Sequence, residues 1–307
     1  MDAHVEDFLT GLLDGCSVLS ERWQRRELTG ADWALARLSC WGGLAHTLPA
    51  DLTGPNGPRL ELDTVQHRLM WSESRALKLL AGSGQARPEE MPDLVDRLYA
   101  VTASRFDPPA AFTDAASRQA VVEWAARHAN PPSLPQSAMA LVDFIQMAPL
   151  VARNAQIAAL LASVLPCWAG APMVHVLPPE GRTEEGFIHA LAAACDGEDG
   201  AWIAYYLGKA RGVLKRMPAL YDGTRLIHAR YVDLFRRALE PDIAEHVASE
   251  LVALPVITPS FVADTGIKIE HLRDAMVLLF AADEAVEVDV PGEAFTILPA
   301  PLRLLNN

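Results

Sequence analysis

Basic side chains are the groups in this 307-residue sequence best placed to do chemistry, and the chemistry they suit is contact with anions. Residues 209–237 hold eight of them, Lys209, Arg211, Lys215, Arg216, Arg225, Arg230, Arg236 and Arg237, against Asp222 and Asp233. Residues 240–307 reverse the balance, with twelve acids against Lys268, Arg273 and Arg303. Such a split marks either a basic face against which the acidic tail packs, or an anion-contacting face beside a protein-binding tail, with Lys215 and Arg216 as candidate DNA or partner contacts. Nucleophile and metal patterns are missing. Cys16, Cys40, Cys167 and Cys195 are isolated, without C-x-x-C or a His at ligand spacing, and read as reduced, mostly buried thiols. Gly82-Ser83-Gly84 lacks the third glycine and the preceding strand of a phosphate loop, and the Asp196–Gly200 segment is too short for an EF-hand. The trio Arg22, Arg25 and Arg26 lies between Glu21 and Glu27, which makes it a solvated face, and His128 sits at a helix end where a cation suits the dipole.

The elements that must position these groups are organised around residues 136–170. Met139, Leu141, Val142, Ile145 and Met147, then Ile157, Leu160, Leu161, Val164 and Leu165, recur at helical spacing and predict two buried helices over 136–147 and 154–168. Between them Pro149 disfavours α geometry at Ala148, and Asn154 is placed to cap the second helix. Further amphipathic helices are expected as a pair within 4–47, and over 62–80, 91–104 and 114–128, with helical structure again from 183 to 239. The aromatics Trp202, Tyr205 and Tyr206 read as core.

The break resembles the motif of the Fic proteins, which carry H-P-F-x-[D/E]-G-N-G-R-x-x-R between two central helices and transfer AMP from ATP to a target hydroxyl. Pro149 and Asn154 match that pattern. Ala148 stands at the catalytic His, Leu150 at the Phe, Ala152 at the metal-binding acid, Arg153 and Ala155 at the two glycines, and Gln156 and Ala159 at the two arginines. The resemblance implies an all-α fold and, in the segment after the second helix, candidate cleft residues Met173, His175 and Arg182. It extends to a bacterial family that joins such a domain to a C-terminal helix-turn-helix and has Ala-Pro-Leu at the break. The inhibitory S-x-x-x-E-G helix of many Fic proteins has its nearest counterpart at Ser74, with Lys78 in the place of the glutamate. Transfer needs a base and charge around the phosphates, and alanine supplies neither, so the resemblance implies a pseudoenzyme.

The tail reads as a winged helix. A helix ends before Pro255, Thr258-Pro259 opens a short helix through Thr265, Gly266 turns, 268–281 forms the second helix, and VEVDV with AFTIL makes a hairpin. That second helix offers Lys268, His271 and Arg273 as DNA or partner contacts, while the hairpin offers acids, which oppose phosphate contact. A net charge of −13, an acidic N-terminus and no long uncharged apolar run point to a cytoplasmic protein without a membrane partner. The expected architecture is therefore mainly α, with an N-terminal helical region (1–55), a degenerate Fic-like domain (56–239) and a winged-helix-like domain (240–307). The expected function is that of a non-catalytic regulatory or interaction protein with no cofactor, contacting a protein partner or itself. The alternatives are a divergent nucleotidyl- or phosphoryl-transferase rebuilt on His175, Arg182 or Arg153, or a DNA-binding regulator. Nucleotide binding would separate the first of these, and salt-sensitive DNA binding the second.

Overall fold

A computed structural model describes Thr10, Leu12 and Cys16, all helical, and residues 64–83, 86–103, 107–128, 133–168, 185–258, 261–290 and 293–305. The rest of the expected helices over 4–47, the Arg22 cluster, and Met173, His175 and Arg182 lie outside the described residues. Contacts divide the chain into two compact units, one of Met1–Glu27 with Ala76–Met217, the other of Leu28–Arg75 with Pro218–Asn307. Helix α1 (Thr64–Ser83) runs three residues beyond the expected end, and Ser83 bonds back to the Leu80 carbonyl at 2.9 Å.

The first unit is helical. It contains α2 (Met91–Thr102), α3 (Ala115–His128), α4 (Leu134–Met147), α5 (Asn154–Trp168), α6 (Glu185–Cys195) and the first half of α7 (Asp199–Phe235). Helices α4 and α5 pack against each other, and their apolar residues explain why. Ala138, Ala140, Leu141, Val142 and Phe144 on α4, with Ile157, Leu160, Leu161, Val164 and Leu165 on α5, are all buried. Burying each large side chain contributes about 1.5–3 kcal/mol. The start of α4 lies two residues earlier than apolar periodicity predicts because of a capping box. Ser133 Oγ accepts the Gln136 N–H at 3.3 Å, and Gln136 Oε1 accepts the Ser133 N–H at 2.7 Å. Two tryptophans tie neighbours to α4: Trp124 of α3 donates to the Ala140 carbonyl at 2.9 Å and Trp202 of α7 to the Ala138 carbonyl at 2.8 Å. Trp202, Tyr206 and Leu207 are buried as the core reading requires, whereas Tyr205 is half-buried.

The second unit adds a small sheet to helices. The second half of α7 is followed by α8 (Pro241–Ala253), β1 (Val256–Ile257), α9 (Phe261–Thr265), α10 (Ile269–Ala281), β2 (Val286–Val290), β3 (Glu293–Ile297) and α11 (Pro299–Leu304). The sheet is antiparallel in the order β1-β3-β2, with Ile297 opposite both Val256 and Val286. Gly266, at φ +73°, makes the turn between α9 and α10, a conformation that favours glycine. Gly223 of α7 admits α11, since a Cβ there would lie 2.5 Å from Leu304 Cδ2.

Candidate functional site

The loop between α4 and α5 is built on two left-handed residues. Ala148 ends α4 at φ 42° and ψ 54°, its N–H shared by the Phe144 and Ile145 carbonyls at 3.1 and 3.2 Å, and Pro149 bars it from continuing the helix. Arg153, at φ 65°, is the second. This is a conformation that glycine adopts more readily than a residue with a side chain. Left-handed backbone at non-glycine residues costs of order 1–3 kcal/mol, and it persists here because its surroundings hold it.

Three contacts supply that hold. Leu150 is buried and bridges Phe112 in an antiparallel pair, with Val151 N–H donating to the Ala111 carbonyl at 2.9 Å. Asn154 closes the loop on Leu150 twice: its Oδ1 accepts the Leu150 N–H at 3.0 Å, and its Nδ2 donates to the Leu150 carbonyl at 2.8 Å. This replaces the capping role expected for Asn154. A capping residue lies just outside the helix, whereas Asn154 is already its first residue and Arg153 supplies the first carbonyl, to Ile157 N–H at 2.9 Å. Finally Arg153 donates to Asp107, and its Nη1 donates to Gln156 Oε1 at 3.2 Å.

These contacts decide what the loop can do chemically. Ala148 is exposed and carries no proton acceptor, Ala155 is exposed, Ala152 is half-buried, and Ala159 is buried in the core. Arg153, the one cation of the segment, is compensated by Asp107, with the two side chains 23% and 17% exposed. Gln156 Nε2 is buried without a hydrogen-bond partner among the described residues. Tyr99 lies beside the pair and donates to the Pro108 carbonyl at 3.1 Å. Burial pushes its phenol above the ordinary value, the charge of Asp107 adds to this and Arg153 opposes it, so Tyr99 stays protonated at neutral pH. The residues present do not fit the Mg²⁺ that AMP transfer uses: Ala152 offers no oxygen ligand, and the described residues contain no cluster of three or more His, Cys, Asp or Glu that could hold a metal.

Asp107 was not singled out by the sequence, and no motif could have found it, because it lies in an irregular Pro-rich loop 46 residues before its partner. His128 ends α3, where a cation suits the helix dipole. The structure pairs its Nε2 with Asp143 Oδ2 of α4 at 2.8 Å, a contact between helices that periodicity does not encode. Cys16 is buried as expected, but Cys195 is exposed, because it ends α6 on the solvent side.

The candidate DNA or partner contacts fall at two elements, α10 and α7. Lys268 is the exposed residue before α10, and Arg273, 72% exposed, lies 3.6 Å from Asp274. His271 is half-buried and faces a cleft shared with Arg236 and Arg237. Lys215 and Arg216 are exposed on the part of α7 that belongs to the first unit. Arg230 of α7 pairs with Glu284 at 2.7 Å, so one of the basic groups of 209–237 is engaged by the acidic tail. Ile269, Val277 and Phe280 are exposed on α10 and, with Arg273, form one stripe at helical spacing. Nearby, His228 meets Ser249 at 3.0 Å and Glu245 at 3.6 Å, but both through Nε2, so no acid–His–Ser relay exists there.

No family model matches the chain, and no curated protein matches it. Among solved structures, Fic-1 from C. elegans (residues 134–508) superposes with a TM-score of 0.50 at 14% identity, over 71% of this chain and 71% of that one. A point variant of the same protein gives a TM-score of 0.48 at 15% identity, over 69% and 71%. The chain is thus mainly helical, carries a small three-stranded sheet, and has a Fic-like fold.

Proposed function

We propose that this protein is a Fic-fold pseudoenzyme that acts by contact with a protein partner and does not transfer AMP. The loop at 148–156 carries this reading. It keeps left-handed backbone at the motif's first glycine position while Ala148, Ala152 and Ala159 remove the base, the metal ligand and one phosphate-binding cation. Losing the base alone typically costs 10²–10⁴-fold in rate. Arg153 cannot make good the loss while Asp107 holds it, which also weighs against a transferase rebuilt on Arg153. The test is incubation with Mg²⁺ and ATP labelled in its α-phosphate. No label should reach this chain or an added protein, and stoichiometric labelling would overturn the reading.

The contact surface belongs to the tail, which we read as a winged helix made of α9, α10 and the β2–β3 hairpin. Its second helix presents Ile269, Val277 and Phe280 to solvent with a single central cation, Arg273. Such a face suits protein contact better than a DNA groove, which calls for several basic and small polar groups. DNA contact through Lys268, His271 and Arg273 remains the second reading, favoured by the helix pair and hairpin themselves. Anisotropy of a labelled duplex at two salt concentrations separates the two, since phosphate contact weakens steeply with salt.

A further inference from the structure

Where α7 gives way to α8, the second unit has an open cleft of about 640 Å³ whose lining includes Arg236, Arg237, Glu240, Ile243, His271 and Asp274. The charges in it are unevenly matched. Among the described residues Arg237 has no ion-pair partner and His271 no side-chain hydrogen bond, and the one carboxylate within ion-pair distance of Arg236 is Asp233, 4.0 Å away and 80% exposed. Asp274 is answered by Arg273 at 3.6 Å, which leaves Glu240 as the one uncompensated acid. Glu240 precedes α8 but makes no side-chain bond to it, and Pro241 has no N–H, so the first-turn amides of Asp242 and Ile243 have no side-chain cap. Two arginines, a histidine and the start of α8 therefore line one recess, together with Glu240 and Asp274.

We infer that this cleft binds a phosphoryl group, carried on a small phosphate ester or in a nucleic-acid backbone. Three phosphate oxygens can use the forked donors of both arginines together with the imidazole, more donors than one carboxylate would satisfy. The α8 amides add donors of fixed direction. Glu240 limits affinity, because it brings a carboxylate to the same recess. The inference stands apart from the pseudoenzyme reading, since no residue of the 148–156 loop enters it.

The experiment titrates the full chain with inorganic phosphate by calorimetry at fixed ionic strength, and in parallel with a fluorescent 20-base-pair duplex. The variants are Arg237→Gln and His271→Gln, with Arg97→Gln, an exposed cation of the other unit, as a control and circular dichroism to confirm folding. Phosphate should bind, and each cleft variant should weaken it about tenfold to a hundredfold, the size of one charge-assisted hydrogen bond, while Arg97→Gln leaves it unchanged. DNA binding with the same Arg237 sensitivity identifies the backbone as the source; silence toward DNA identifies a free phosphate ester. Absence of phosphate binding, or binding indifferent to both cleft variants, overturns the inference.

Discussion

Arg153 donates through Nε to Oδ2 of Asp107 at 2.9 Å, and its Nη2 lies 2.9 Å from the same oxygen as an ion pair. The pair anchors a left-handed residue at the head of α5 to a loop 46 residues away. Asp107→Asn should therefore destabilise the protein by about 1–2 kcal/mol, below the cost of breaking a fully buried pair because both groups retain some solvent. Arg153→Gly should cost less, since glycine relieves the left-handed backbone as the pair is lost. Urea melts of the two single variants and the double variant give the coupling, and additive effects would mean the contact contributes nothing.

Restoring the motif at one position should not restore chemistry. Ala148→His places an imidazole at the vacated base position, yet Ala152 and Gln156 still leave the phosphates without metal or guanidinium. No AMP transfer is expected from labelled ATP, and any turnover by this single variant would show that the remaining groups suffice.

Trp202→Phe removes the indole bond to the Ala138 carbonyl and shrinks a fully buried ring that packs against Phe187, Tyr205 and Tyr206. The expected loss is about 1–3 kcal/mol, read from a denaturant midpoint, with the cavity contributing more than the hydrogen bond because the Ala138 carbonyl lies within α4 and keeps its helical partner.

Asp114 accepts the Ser117 backbone N–H at 2.7 Å and its hydroxyl at 2.8 Å, and these bonds hold its carboxyl below the ordinary carboxylate value. A depressed folded-state value means the stabilisation is complete above the unfolded value, about pH 4, and is lost as pH falls through the folded one. Asp114→Ala should lower the melting temperature at pH 7 and flatten the fall below about pH 4. An unchanged acid profile in the variant would rule out the cap as its source.

Val277 is 62% exposed in the middle of the apolar stripe of α10. Val277→Lys should change stability by no more than roughly 0.5 kcal/mol, as surface substitutions do. A loss several times larger would mean the face is packed within the chain and unavailable to a partner.

Much of the helical plan could be read in advance, and the residues say why. Pro149 and the spacing of Leu141, Val142, Ile157, Leu160 and Leu161 place two buried helices and a break without any tertiary information. Thr258, Gly266 and the two β-rich runs likewise locate the short helix pair and the hairpin. What escaped was every feature held by a distant partner. Asn154 is a common capping residue, but only the register set by Arg153 turns it back to Leu150. Asp107 becomes meaningful only when the fold brings it to Arg153, and Asp143 only when α4 meets His128. Cleft residues such as Arg237 carried a charge signal but no address.

The three-stranded sheet has its latest strand in its middle. Strands β1 and β2 each pair with β3 and are joined through it, although 28 residues separate the end of one from the start of the other. Synthesis delivers both outer strands before the one that unites them, so until residue 297 is free the unit holds two unpaired edges at once. A chain stopped at 290 would lose its sheet entirely, not one strand of it, and would expose those edges to any extended segment in reach.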